Sequence, residues 1–230
     1  MELTATIIQS LSIIIAAAAF VSGINAWKRE HIGRRQIDLA EQVLSLFYES
    51  RDQIREIRNP ISYFNEETTR KARADESEEE TKALNRAHVV FARYEARKDT
   101  FIKLNTLKYQ FMAVFGSDKE KHFLELNRIL REIFKATHLL AARYWRPSAW
   151  ADLDPQQHEK NQKQLFEKES IIWYGAEDPD PIETQINKLL KDVESDVEPI
   201  IKKGSQIMEG GSWLPTRYRS LHRKNRKPLI

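Results

Sequence analysis

The sequence predicts an all-α protein in which an N-terminal transmembrane helix continues into a cytoplasmic, antiparallel helical bundle of four to five helices. Two observations lead to this prediction. Residues 3–27 carry no charge, and about 20 apolar residues can cross a bilayer as a helix. The remaining chain repeats apolar residues at spacings of three and four, without strand-like alternation. We therefore predict an anchor (1–27), a helical bundle domain (28–210) and a basic tail (211–230).

The flanks of the apolar segment predict its orientation. Trp27 stands where an interfacial aromatic residue is expected, and the N-terminal flank carries only Glu2. Four basic residues follow the segment closely: Lys28, Arg29, Arg34 and Arg35. Because basic residues favour the cytoplasmic side, we expect a single-pass protein with its N-terminus outside and its C-terminal domain in the cytoplasm. A cleaved signal peptide and a buried helix of a soluble protein are the alternatives.

Small side chains recur along one side of the predicted span. They stand at spacings of four, three and four residues: Ser12, Ala16, Ala19 and Gly23. Such a line lets another helix approach closely. It is a possible transmembrane packing face, and through it the chain could form a homo-oligomer.

The first helix is expected to continue through Gly33 and to end before Pro60, because a single glycine only weakens a helix whereas proline ends one. A loop is predicted from about 59 to 77. The acidic run at 75–80 closes this loop, and Ser77 with Glu80 has the spacing of a capping box. We favour this structural interpretation of the acids over a partner-binding patch.

The second helix is predicted to end at Gly116, and a second capping box, Ser117 with Glu120, is predicted to begin the third. The third helix alternates apolar spacings of three and four, as in a coiled coil, and ends near Pro147. Together they read as an antiparallel αα-hairpin. The residues expected to be most buried are Phe91, Phe101, Phe111, Leu126, Leu130 and Ile133.

Two prolines preceded by aspartates predict the remaining helices. Asp154-Pro155 begins a more polar fourth helix running towards Tyr174, and Asp180-Pro181 begins a fifth. Pro199 is expected to bend the end of the fifth helix. After Gly210 the chain reads as irregular.

Catalytic and metal-binding signals are missing from the sequence. There is no cysteine, and no two of the six histidines stand three or four residues apart; thiolate chemistry is thereby excluded and helix-borne zinc sites are disfavoured. Phosphate-binding loops and nucleophile elbows are also absent. His122 and Glu125 share a helix surface, which needs no ligand to explain it. We predict no enzyme activity and no cofactor, with an enzyme of dispersed catalytic residues as the third alternative.

The C-terminal tail concentrates the positive charge. All six basic residues after Glu209 lie in it without any acid, so a net charge of +3 leaves 3 − 6 = −3 for the rest: Arg217, Arg219, Arg223, Lys224, Arg226 and Lys227. Such a segment is a possible contact for anionic lipid, since it belongs to a chain held at a membrane. Binding to nucleic acid and a merely solubilising role are the alternatives.

The first 60 residues resemble, in layout, uncharacterised bacterial single-span membrane-anchored α-helical proteins. The resemblance is carried by the uncharged span, the juncture Trp27-Lys28-Arg29-Glu30-His31 and the amphipathic stretch 37–44. It implies a bacterial inner-membrane setting and no catalytic residue. The sequence thus favours a membrane-anchored interaction or regulatory module with a protein partner. The alternative is a membrane-face effector that binds anionic lipid or nucleic acid through its tail.

Overall fold

A computed structural model describes the backbone of residues 2–62, 66 and 69–210, and the side chains of residues 10–62, 66 and 69–202. Over these residues the protein is all-α, with five α-helices and no strand. Two compact units are formed: described residues up to Ala40 and from Glu198 onward make the first, and Glu41–Val197 makes the second. The all-α prediction is confirmed for the described residues.

Helix α1 spans Glu2–Ile57 without interruption, as expected from the absence of proline before position 60. Gly33 lies inside the helix, where a Cβ atom would meet nothing within 4 Å. After the helix ends, the Asn59 side chain accepts a hydrogen bond from the N–H of Ile61 at 3.0 Å. This local bond stabilises the turn at Pro60 where the helix was predicted to stop.

Helix α2 spans Glu78–Phe115, and both of its predicted ends are confirmed. The Ser77 hydroxyl accepts from the N–H of Glu80 at 3.1 Å, and Gly116 ends the helix at a φ of 108°. The second predicted capping box is wrong, because Ser117–Lys119 form a 3₁₀ turn and helix α3 begins only afterwards, with no side chain capping it.

Helix α3 spans Glu120–Leu139 and is prolonged by one π-helical turn, Leu140–Tyr144, with a short 3₁₀ turn at Pro147–Trp150. Helix α4 spans Pro155–Ile172 and is capped by Asp154, as predicted. Helix α5 spans Pro181–Gly210 and continues through Pro199.

All five helices contribute buried apolar side chains to the second unit. The Phe123 ring lies 5.4 Å from that of Phe47 on α1 and 5.9 Å from that of Phe111 on α2. Ile133, Ile172 and other aliphatic residues around them are inaccessible to solvent. Five of the six residues expected to be most buried are buried: Phe101, Phe111, Leu126, Leu130 and Ile133.

Phe91 is the exception, because it is only half-buried. Its ring lies at the edge between α2 and α3, 5.6 Å from the Phe134 ring and 4.9 Å from the exposed His138 ring. The spacing of apolar residues along α2 therefore predicts its buried side correctly for Phe101 and Phe111. Phe91 lies at the edge of that side and not at its centre.

Shortening a core side chain of α3 tests this packing. Leu130 is 5% exposed, so Leu130→Ala is expected to lower the free energy of unfolding by roughly 2–5 kcal/mol through lost burial and a cavity. Chemical denaturation of the protein in detergent measures the change. Leu124→Ala on the same helix is the control, since Leu124 is 48% exposed and surface changes stay within about 0.5 kcal/mol. Equal effects of the two variants would contradict the assignment of the buried face.

Candidate functional site

The N-terminal half of α1 exposes a long apolar surface. Every residue from Ser10 to Ile32 is exposed to solvent in the chain. The large apolar side chains among them are between 38% and 70% exposed: Leu11, Ile13, Ile14, Ile15, Phe20, Val21, Ile24, Trp27 and Ile32. Soluble monomers rarely expose an apolar patch of this extent. By length and composition α1 could cross a membrane, and no other helix among the described residues could.

The predicted packing face of small residues lies on this exposed half of α1. Ser12, Ala16, Ala19 and Gly23 are all exposed, and a Cβ atom added to Gly23 would meet nothing within 4 Å. The chain therefore leaves room for another helix beside these residues. Self-association through this face remains a prediction.

A basic collar, which we define as Lys28, Arg29, Arg34 and Arg35, follows the apolar segment on α1. All four side chains are exposed. The Trp27 and His31 rings stack beside them with their centroids 5.6 Å apart. Glu30 is the single acid of the segment, and its carboxylate pairs with Arg34 at 2.9 Å. Among the described residues no carboxylate forms an ion pair with Lys28, Arg29 or Arg35, next to the apolar surface.

The most deeply buried charge of the second unit is Arg58, which lies just after the end of α1 and is inaccessible to solvent. Its Nε donates to the carbonyl of Ile171 at 2.8 Å, and its Nη2 donates to the carbonyl of Ser170 at 2.9 Å. Both carbonyls belong to the last turn of α4. A guanidinium placed there satisfies helix-end acceptors and complements the negative end of the helix dipole.

The anion that pairs with Arg58 is Asp180, which caps the start of α5. Its Oδ2 accepts from Arg58 Nη2 at 2.9 Å, and its Oδ1 accepts from the N–H groups of Ile182 and Glu183 at 3.0 and 2.9 Å. Burial alone would raise the pKa of Asp180, but the hydrogen bonds from Arg58 and from the backbone outweigh it and lower the pKa. Asp180 therefore stays ionised beside Arg58.

Two further contacts surround this Arg58–Asp180 junction. The Arg55 guanidinium forms a two-pronged ion pair with Glu183 in the first turn of α5, which lowers the pKa of Glu183. The N–H of Tyr174 donates to the carbonyl of Arg58 at 2.7 Å. Arg58 Nη1 makes no hydrogen bond within the described part of the chain. The junction is a structural tie between the ends of three helices.

The loop before α2 is held by arginine in the same way. Arg93 on α2 is 5% exposed; its Nε donates to Glu66 at 3.0 Å and its Nη2 donates to the carbonyl of Ile61 at 2.7 Å. Arg70 forms a two-pronged ion pair with Glu76. Glu76 belongs to the acidic run at 75–80, so these contacts support the structural interpretation of that run.

The Arg70–Glu76 pair predicts a loss of stability in acid. The hydrogen bond from Arg70 lowers the pKa of Glu76 from 4.5 to about 2. A carboxyl whose pKa is lowered by folding stabilises the fold above its unfolded pKa, and this contribution disappears as the pH falls from 4.5 towards 2. Glu76→Gln should lower the urea midpoint at pH 7, and the midpoint of this variant should decrease less than that of wild type as the pH falls below 4.5. The control Glu41→Gln, at an exposed site, should change neither the midpoint at pH 7 nor its pH dependence. Parallel curves for wild type and Glu76→Gln would contradict the prediction.

His122, which shares a helix surface with Glu125, pairs with a different residue. Its buried ring bonds Asp196 on α5, with Nε2 and Oδ2 2.7 Å apart, and Lys119 also pairs with Asp196 at 3.1 Å. Glu125 instead pairs with Arg128 at 2.7 Å. No group of three potential metal ligands occurs among the described residues. The histidine thus contributes a contact between α3 and α5.

One exposed patch of the second unit has no structural role of this kind. Asn127 on α3 donates to Asn105 on α2 at 3.3 Å, and exposed apolar residues stand one helical turn from each of these asparagines on its own helix. Ile102, Tyr109 and Leu124 are 52%, 68% and 48% exposed. We call the patch the α2–α3 face; it comprises Ile102, Asn105, Tyr109, Leu124, Asn127 and Arg131.

The α2–α3 face is bordered by positive charge. Arg131 is exposed one helical turn beyond Asn127, and the Lys108 ammonium lies 4.7 Å from the centre of the Tyr109 ring. Lys108 pairs with Glu120 at 3.2 Å, so its charge is partly compensated. The face joins apolar and cationic groups on the surface of two packed helices.

Of the two predicted sets of site residues, one lies within the described part of the chain and the other does not. The packing face is exposed as described, whereas the six basic residues of the tail, Arg217 to Lys227, lie outside the described residues. Sequence reasoning missed the α2–α3 face because Leu124 lies off the apolar stripe of α3. It also missed the pairing of Arg58 with Asp180, because the two residues are 122 positions apart in the chain.

No protein-family model matches the chain, and no curated protein or solved structure matches it either.

Proposed function

We propose that this protein is a membrane-anchored interaction or regulatory module, with α1 spanning a bacterial inner membrane and a cytoplasmic helical bundle meeting a protein partner. The observation that carries the proposal is the exposed apolar half of α1. An aliphatic surface of this length is unfavourable in water and favourable in a bilayer, where Leu, Ile, Phe and Val each gain about 0.3–0.6 kcal/mol at the helix centre.

The orientation rests on the basic collar. Lys28, Arg29, Arg34 and Arg35 follow the span, while Glu2 alone precedes it; this asymmetry retains the second unit in the cytoplasm. A cytoplasm-dependent reporter fused after Ile230 should therefore be active. Activity of a reporter that functions only in the periplasm would reverse the orientation.

The α2–α3 face is the surface where we place the partner. Its exposed apolar residues suit an amphipathic helix, and the positive charge of Arg131 favours acidic residues on that helix. The buried ion pairs of the second unit point inward and stabilise the fold. Partner binding through this face accounts for exposed apolar groups that the fold itself does not use.

Site-specific photo-crosslinking in cells tests this surface. A photoreactive amino acid at Tyr109 should give an adduct of defined mass, because Tyr109, at 68% exposure, is the most exposed of the three apolar residues of the face. The adduct should weaken several-fold with Arg131→Glu. A photoreactive amino acid at Phe166, which is 55% exposed on α4, serves as the control position.

Adducts at both positions, or at neither, would contradict a partner at the α2–α3 face. An adduct of twice the chain's own mass would show that the partner at this face is a second copy of the chain and not a different protein. In that case the small residues Ser12, Ala16, Ala19 and Gly23 offer the matching contact within the membrane.

A second proposal concerns the tail, because its six basic residues occur without an acid. In this alternative the protein is a membrane-face effector that binds anionic lipid or nucleic acid through residues 211–230. Deleting these residues should then abolish binding of the reconstituted protein to added anionic vesicles or to single-stranded DNA, as about 0.5 M salt should. Unchanged binding after the deletion would exclude the tail as the contact.

A further inference from the structure

We infer that the basic collar binds anionic phospholipid headgroups and enriches these lipids around α1. The inference rests on the proposed membrane function and names the chemical partner of the segment next to the span. Three features of the described residues support it: where the collar lies along the helix, how its charges are distributed, and how little acid compensates them.

The first feature is the position of the charges along the helix. Lys28 follows the apolar segment directly, and Arg35 lies about 10 Å further along the helix axis. The polar layer on one side of a bilayer is about 5–7 Å thick, and the Debye length at physiological salt is about 8 Å. Every cation of the collar would thus lie inside the headgroup layer or within one Debye length of it.

The second feature is their distribution around the helix. Lys28 and Arg35 are seven residues apart and so lie on the same side, with His31 between them, whereas Arg29 points about 100° away. All these side chains are exposed. Charges spread around a helix suit small lipids that can approach from any side, better than one folded partner that would contact a single side.

The third feature is the lack of compensation. Glu30 pairs with Arg34 at 2.9 Å, while no carboxylate of the described residues lies within ion-pair distance of Lys28, Arg29 or Arg35. Each cation near an anionic membrane surface strengthens its attraction to that surface by about fivefold. With screening by salt, we expect anionic lipid to be enriched roughly two- to fivefold beside the span.

Fluorescence quenching of Trp27 measures this enrichment in the full chain. The protein is reconstituted into phosphatidylcholine vesicles containing one fifth phosphatidylglycerol, and acyl-chain bromine is placed on either the anionic or the neutral lipid at equal mole fraction. Bromine on the acyl chains quenches the fluorescence of Trp27, which lies at the surface of the bilayer. The Trp27→Phe variant gives the background from the other tryptophans.

Brominated phosphatidylglycerol should quench Trp27 at least twofold more than brominated phosphatidylcholine, and 0.5 M NaCl should remove the difference. In the triple variant Lys28→Gln, Arg29→Gln, Arg35→Gln, Trp27 should be quenched equally by the two brominated lipids. Two matched triple variants should keep the preference. One exchanges the collar cations (Lys28→Arg, Arg29→Lys, Arg35→Lys), and the other removes three exposed lysines elsewhere (Lys103→Gln, Lys188→Gln, Lys191→Gln).

The remaining outcomes separate this inference from the proposed function. Equal quenching of wild-type Trp27 by both lipids would show an inserted span without headgroup preference and would overturn the inference alone. Absence of quenching by either lipid would show that the span is not in the bilayer, and both would fail. A preference that survives in the collar variant but disappears on deletion of residues 211–230 would assign the contact to the tail and overturn the inference.

Discussion

Replacing Arg58 by methionine is expected to lower the free energy of unfolding by roughly 3–5 kcal/mol, because removal of one partner leaves a buried ion uncompensated. Asp180, whose side chain is 8% exposed, would lose its cation, and the carbonyls of Ser170 and Ile171 would lose their donor. Methionine preserves most of the side-chain volume, so the loss reports the charge and the hydrogen bonds. Urea denaturation of the protein in detergent measures it.

Two comparisons isolate this effect. Arg51→Met removes an arginine from α1 whose partner, Asp52, is 58% exposed, and should cost less than about 1 kcal/mol. In the double variant Arg58→Met, Asp180→Asn the remaining charge is gone, so its loss should be clearly smaller than the sum of the two single losses. Additive losses, or an Arg58→Met effect as small as that of Arg51→Met, would mean that the pair contributes no coupling.

Placing one arginine at the middle of the apolar segment should release the protein from the membrane. Ile15 is 61% exposed and stands midway along residues 3–27. An arginine at the centre of a span costs about 2.5–3.5 kcal/mol, so Ile15→Arg should lower the ratio of inserted to released protein about 100-fold. Carbonate extraction of membranes followed by immunoblotting of pellet and supernatant measures this ratio.

Ile61→Arg provides the control for the added charge, because Ile61 is 68% exposed and lies in the second unit. It should leave the protein in the pellet, as should wild type in high salt, since an inserted helix is not held by screened surface charge. Wild-type protein that is itself extracted by carbonate would contradict the span.

Helix ends were the most predictable part of this fold. Ser77, Gly116, Asp154 and Asp180 all stand at or next to the ends that the sequence indicated. Their effect is local, because a capping side chain binds a backbone group two or three residues away and a glycine adopts its left-handed φ without strain. Local chemistry of this kind can be inferred without knowing what the helix packs against.

Contacts between distant residues could not be predicted in the same way. Ser117 has the spacing of a capping residue, yet the turn between α2 and α3 uses it in a 3₁₀ turn instead. Arg58 reads as one more surface arginine in the sequence, and the packing of α4 and α5 makes it inaccessible to solvent. The α2–α3 face depends on the contact of Asn105 with Asn127, which no periodicity within one helix encodes.

The Arg58–Asp180 junction also has a consequence for synthesis of the chain. Its two charged residues are 122 positions apart, and ribosomes add about 5–20 residues per second. Arg58 therefore leaves the ribosome about 6–24 s before the aspartate and the α4 carbonyls that it binds are available. During that interval the end of α1 keeps a solvated guanidinium. The second unit can consequently close its core only after translation has passed the start of α5.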